Sequence, residues 1–317
     1  VQRFSFAPPQ TSKTKALHSK IPFLTKKSTG GFMSVSQSLS VNKFMGWLRT
    51  TTMTTVSPPQ DASLKIEGIS KTFVSQQGKV VHALAPTTLA VSTGEFVCFL
   101  GPSGCGKSTL LSLIAGLEQP SSGQIKFGQQ PIQGTNTDRV LLFQDGALFP
   151  WLDVQGNIEF GLRQIGKSKE ERAEIAHKWL ERMNLIGFEH HNIHQLSGGM
   201  RQRVAIARAF AINPAMLLMD EPFAALDAMT RDRLHHELEH LWASTRKTVI
   251  FVTHNVREAV ALGDRVMVFS PRPGRIVAEF KVDLPRPRSL ENVALVEKTA
   301  EIMAVLQQIM AEGDEPL

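Results

Sequence analysis

Glycines at 101, 104 and 106, followed by Lys107, Ser108 and Thr109, give Gly101-Pro102-Ser103-Gly104-Cys105-Gly106-Lys107-Ser108-Thr109 the spacing of a phosphate loop. The chemistry is that of a polyphosphate. Glycines let successive backbone N–H groups close around phosphate oxygens, Lys107 reaches the β and γ oxygens, and the Ser108 hydroxyl can ligate Mg2+. A second run, Met216-Leu-Leu-Met219, ends in Asp220-Glu221-Pro222. Four apolar residues hold an acidic pair at the edge of a buried strand, which suits Asp220 to the metal and Glu221 to the proton of an attacking water. Carboxylates beside a phosphate loop favour hydrolysis over simple nucleotide binding.

These groups need a scaffold that brings distant segments to one edge. Glu95 to Leu100 reads as a short apolar strand running into the glycine loop, and Lys107 to Gly116 as the helix that leaves it. Further apolar runs at Val140 to Phe143, Met216 to Met219, Val249 to Val252 and Val266 to Phe269 are separated by helical segments. That alternation predicts an α/β fold with a mostly parallel sheet covered on both faces. Leu64 to Ile66, Val80 to Leu84 and Leu89 to Val91 predict N-terminal antiparallel strands around a turn at Gln77-Gly78. No strand is evident between Phe149 and Leu196, where Lys169 to Met183 has helical spacing, so a helical subdomain at about residues 150–200 is inserted in the core. A Pro-rich linker, Leu284 to Arg288, precedes a helical tail over residues 289–317.

The net charge of +6 is concentrated at the start of the chain. Residues 1–60 hold eight Lys or Arg and no Asp or Glu, leaving 27 basic against 29 acidic residues over 61–317. The folded part is therefore near neutral, and nucleic acid is not an expected partner. The Ser/Thr-rich leader reads as a transit peptide, as an extension upstream of a start at Met53, or as a disordered tail without function. No run approaches the roughly 18 consecutive apolar residues that span a bilayer. Two cysteines, Cys98 and Cys105, give no disulfide framework and suit a reducing compartment.

Leu196-Ser197-Gly198-Gly199-Met200-Arg201-Gln202-Arg203 resembles the signature motif of the ATP-binding cassette family, and residues from about 64 to 285 follow that family's order. The resemblance implies a P-loop ATPase domain, here over 61–288, binding ATP with Mg2+. It also implies that two copies sandwich two nucleotides, each completed by the other's Ser197, Gly198 and Gly199, which open a helix whose free N–H groups suit a γ-phosphate. Gln144 resembles the glutamine that senses Mg2+ and the attacking water and couples to the transport domain. His254 resembles the switch histidine that contacts the γ-phosphate, and Ala225-Leu226-Asp227 the loop that crosses the dimer interface. Phe73 sits where an aromatic ring stacks on adenine; tyrosine is usual there, and this chain has none. Asn255 replaces the aspartate that commonly follows the switch histidine.

Phe149-Pro-Trp-Leu152, Asn157 to Gly161, the Pro273-Gly-Arg-Ile276 turn and the Leu284 to Arg288 linker look like the nitrate, sulfonate, taurine and bicarbonate importer group. That likeness implies an ATPase on the cytoplasmic face of the inner membrane, with separate permease subunits and a solute-binding protein, and a sulfonate such as taurine as cargo. The alternative is a soluble cassette ATPase acting on nucleic acid or a ribosome. Trp151 reads either as core or as part of a groove for a permease helix. His190, His191, His194, His235, His236 and His240 lack the cysteines or carboxylates of a zinc shell and are expected on solvated helix faces.

Overall fold

The computed structural model describes residues 61–75 and 77–313; the leader expected over residues 1–60, with Met53, lies outside them. The chain enters through an antiparallel sheet of β1 (Leu64–Val74), β2 (Val80–Val91), β4 (Ser122–Phe127) and β5 (Gln130–Pro131), in the order β2-β1-β4-β5. Only β1 and β2 were legible in advance. In β4 the sequence Ser-Gly-Gln-Ile-Lys-Phe buries just Ile125 and Phe127, so its apolar content is thin.

The second sheet contains β3 (Phe96–Leu100), β6 (Arg139–Leu142), β7 (Met216–Asp220), β8 (Thr248–Thr253), β9 (Arg265–Phe269) and β10 (Ile276–Lys281). Their order is β10-β9-β3-β8-β7-β6, parallel throughout except for the edge pair β9 and β10. β3 and β8 are buried at every position, which is why their sequences run apolar rather than alternating. Successive residues serve two cores. Val97, Phe99, Ile250, Val252, Leu218 and Phe269 face the antiparallel sheet and α1 (Lys107–Ile114), whereas Phe96, Cys98, Leu100, Phe251 and Leu217 face the other helices.

Those helices are α2 (Val154–Gln164), α3 (Lys169–Arg182), α4 (Gly198–Ala211), α5 (Ala228–Thr245), α6 (Val256–Leu262) and α7 (Val293–Gly313). α2 and α3 pack on one another and on α4, the predicted helical insertion. α3 starts with a reciprocal cap between Ser168 and Glu171. The tail does not stand apart, because Leu295, Ile302 and Leu306 of α7 are buried in the same core as the parallel strands.

One expectation needs correction. His235 is not on a solvated face: it is 5% exposed, meets the Phe223 ring edge-on at 5.0 Å and has Nε2 3.4 Å from Glu258 Oε1. Burial pushes the Glu258 carboxyl up, but the His235 imidazole and the Thr253 hydroxyl beside it outweigh this and hold it below its ordinary value. The Pro-rich linker is likewise anchored, since Arg288 is buried and donates to the carbonyls of Val282, Val260 and Leu284. Burial pushes its guanidinium down to about 10. Arg286 lies over the Trp242 ring at 4.4 Å and pairs with Asp264 at 2.9 Å.

Candidate active site

Parallel pairing sets the site. Leu100 lies opposite Thr253, Val252 opposite Asp220 and Met219 opposite Leu142, so the segments that follow β3, β8, β7 and β6 emerge side by side at one sheet edge. They carry the phosphate loop, His254, the Asp220-Glu221 pair and Gln144. In the other sheet Phe73 pairs with Val81, and both reach the same cavity.

A cavity of about 420 Å3 results, lined by Phe73, Val81, Ala83, Ser103, Gly104, Gly106, Lys107, Ser108, Thr109, Gln144, Glu221 and Arg272. Phe73 is 37% exposed, and Lys71 Nζ sits over its ring, 4.8 Å from the centroid. Gly106 precedes α1 at φ 106° and supplies no side-chain cap, so the first-turn N–H groups of α1 face the cavity without one. The other helix starts near the site are capped, α4 by Ser197, α5 by Asp227 and α6 by Asn255. Asn255 accepts from the N–H groups of Arg257 and Glu258, so it does the capping that an aspartate would do there.

Lys107 is 4% exposed and its Nζ donates to the carbonyls of Gly101 (2.7 Å) and Pro102 (2.9 Å), with Cys105 Sγ at 3.7 Å. Gly101, Pro102 and Cys105 thus stand behind the loop rather than in the cavity wall. Ser108 Oγ donates to Asp220 Oδ1 at 3.0 Å. Burial raises the Asp220 carboxyl above its ordinary value, with the Ser108 hydrogen bond opposing and the Glu221 charge adding to the rise. Glu221 has φ 44°, a left-handed backbone uncommon for a residue with a Cβ, and its N–H is fixed by the Val252 carbonyl at 3.0 Å. Its Oε2 lies 2.8 Å from His254 Nδ1, so the two residues form one polar unit at the rim.

Ser197, Gly198, Gly199 and Asp227 do not line this cavity. Ser197 Oγ accepts from the Met200 N–H at 3.3 Å, so the start of α4 is partly satisfied by its own cap rather than wholly free. Asp227 accepts from the Thr230 N–H at 3.0 Å, which holds its carboxyl below the ordinary range. The two segments touch, because a Cβ on Gly199 would come within 2.6 Å of Thr230 Cγ2. Trp151 is 59% exposed with its ring 5.3 Å from that of Phe149, which removes the core reading.

Sequence reasoning passed over two arginines here. Arg272, in the turn between β9 and β10, lines the cavity, and Arg208 donates to the carbonyls of Ala147 (2.9 Å) and Gly146 (2.6 Å), anchoring the segment after Gln144 to α4. Burial pushes Arg208 down to about 10. Neither lies in a motif, and only the tertiary pairing reveals them.

The ABC transporter family profile matches residues 84–224, and a taurine import ATP-binding protein of Burkholderia pseudomallei is 43% identical over 259 residues, 80% of this chain and 99% of the relative. The chain belongs to the ATP-binding cassette transporter family. The cassette is accordingly an ATPase. It is also 47% identical over 222 residues, 70% of this chain and 83% of the relative, to a nitrate import ATP-binding protein of a Synechocystis strain. Among solved structures it resembles the dimeric post-hydrolysis state of an ATP-binding cassette bound to ADP and Pi, with a TM-score of 0.63 and 33% identity over 70% of this chain and all of that one. Among the described residues no helix is long and apolar enough to cross a membrane.

Proposed function

We propose that this cassette is the ATP-hydrolysing subunit of an importer of a small anion, a sulfonate of the taurine kind, acting as a homodimer beneath separate permease subunits at the cytoplasmic face of the inner membrane. A solute-binding protein would deliver the cargo. The observation that carries the reading is the split between a polyphosphate cavity and a signature segment that stands outside it in the same chain. Two copies facing one another would supply each cavity with Ser197, Gly198 and Gly199 from the other. The relatives' names, taurine and nitrate import, support the anion class and leave sulfonate as our choice within it.

The residues fit the chemistry. Phe73 offers its ring to adenine, the uncapped start of α1 its N–H groups to the phosphates, and Lys107 exchanges the carbonyls of Gly101 and Pro102 for phosphate oxygens. Ser108 and Asp220, with oxygens 3.0 Å apart, and Gln144 on the same cavity form the hard oxygen donor set that suits Mg2+. Magnesium held there would neutralise charge on the phosphates. Glu221 takes a proton from the attacking water, and His254, hydrogen-bonded to it, holds the carboxylate in place and faces the γ-phosphate. Exposed Trp151 and Gln144 belong to the surface that passes closure to the permease.

The test is to tag the Glu221→Gln variant, extract it gently from native membranes with ATP present, and identify what accompanies it. A polytopic permease is expected. Recovery solely as a soluble dimer, or with ribosomes or nucleic acid, would transfer the cassette to the non-transport class.

A further inference from the structure

The turn joining β9 to β10 borders the nucleotide cavity through Arg272. Its backbone is fixed: Gly274 donates to the Ala83 carbonyl at 3.1 Å and accepts from the Ala85 N–H at 2.9 Å, while the Ser270 N–H donates to the Arg275 carbonyl at 3.0 Å. A Cβ on Gly274 would come within 1.8 Å of the Cys105 carbonyl oxygen, so this backbone lies directly against the phosphate loop. From that platform Arg272 reaches over the loop. Its Nε and Nη2 each donate to the Gly104 carbonyl at 3.1 Å, and it walls the cavity together with Phe73, Ser103 and Lys107.

Arg272 is exposed, and among the described residues no carboxylate pairs with it. Of the other arginines in the β9 to α7 stretch that line a cavity, Arg265 and Arg286 each pair with two carboxylates, and buried Arg288 is spent on backbone carbonyls. A guanidinium has five N–H donors in a planar fork that matches phosphate geometry, and one backbone carbonyl does not exhaust them. An unneutralised cation on a rigid turn, facing a polyanion site, is placed to bind that polyanion.

We propose that Arg272 is a nucleotide-binding residue, its guanidinium pairing with the phosphate chain while its hold on Gly104 keeps the phosphate loop in shape. The inference rests on the reading of this cavity as the ATP site. The test measures dissociation constants of ATP, ADP and AMP by titration calorimetry, with ATPase kinetics, for the full chain and its Arg272→Gln, Arg272→Lys and Lys107→Ala variants. Arg272→Gln should weaken ATP and ADP about tenfold, the loss of one charge-assisted hydrogen bond. AMP should suffer less, KM for ATP should rise with kcat within about twofold, and Arg272→Lys should recover part of the affinity. ATP affinity unchanged in Arg272→Gln, or an equal loss for all three nucleotides, would overturn the proposal. If Lys107→Ala also left ATP binding intact, the reading of the cavity itself would fall instead.

Discussion

The nucleotide cavity is walled by the ends of buried strands, whereas the Ser197 to Gly199 segment stands at an exposed helix start that does not line it. In the cavity, neighbouring strands fix Lys107, Asp220 and Glu221 to within hydrogen-bonding distance of other polar groups before any nucleotide arrives. At the signature, Ser197 and Asp227 only cap their own helices. On the proposed reading, one region is preorganised for phosphate and the other would complete the cavity of a second copy.

The largest effect is expected at Glu221. Glu221→Gln should lower ATP turnover by about 10²- to 10⁴-fold, the usual contribution of a general base, while ATP affinity is retained. Near-normal steady-state ATPase activity would remove Glu221 from that role. Next comes Gly199→Val. The added bulk meets Thr230, separates the starts of α4 and α5, and should lower ATPase activity about tenfold, equivalent to about 1.4 kcal/mol of transition-state stabilisation. ATP binding to the isolated chain should persist, and its loss in calorimetry would mean that the two regions are not separable.

Asp220 gives a pH test. Burial raises its folded-state pKa, so the proton is held more tightly in the native state than in the unfolded chain. Its stabilising share is present at low pH and lost as pH rises through the raised value, where a buried charge must form. Asp220→Asn should therefore raise the melting temperature of the nucleotide-free chain at neutral pH, by about 2–4 °C for each kcal/mol relieved, with the gain shrinking toward the ordinary carboxylate range. A lower melting temperature at neutral pH in scanning calorimetry would contradict this, and the same variant should lose ATPase activity. The smallest effect is at Trp151, where Trp151→Ala should leave the ATPase rate of the purified subunit unchanged and reduce co-purification with a permease. A changed rate without the permease would tie Trp151 to the nucleotide site.

Most of the cavity could be read in advance because its parts are local. A glycine loop after an apolar strand, or an acidic pair after Met216 to Met219, is legible in consecutive residues. What escaped depends on distant partners. β4 pairs with β1 through only two buried apolar residues, and β10 alternates along an exposed edge, so neither has a continuous apolar run. His235 sits in a polar helix face beside exposed His236 and His240, and only the packing of Phe223 and Glu258 draws it inward. Arg272 lies in a turn whose place against Gly104 is set by β2 and the phosphate loop, far away in sequence.

On the proposed reading, one chain's cavity is completed by another chain's signature. Lys107→Ala disables the cavity and Ser197→Arg the signature, and each variant alone should hydrolyse ATP poorly. Mixed in equal amounts, they form heterodimers holding one intact cavity opposite one intact signature, and ATPase activity should reappear above the sum of the two. No recovery at any mixing ratio, with Ser197→Arg still binding ATP and heterodimers present, would show that the cavity is not completed by a second chain's signature.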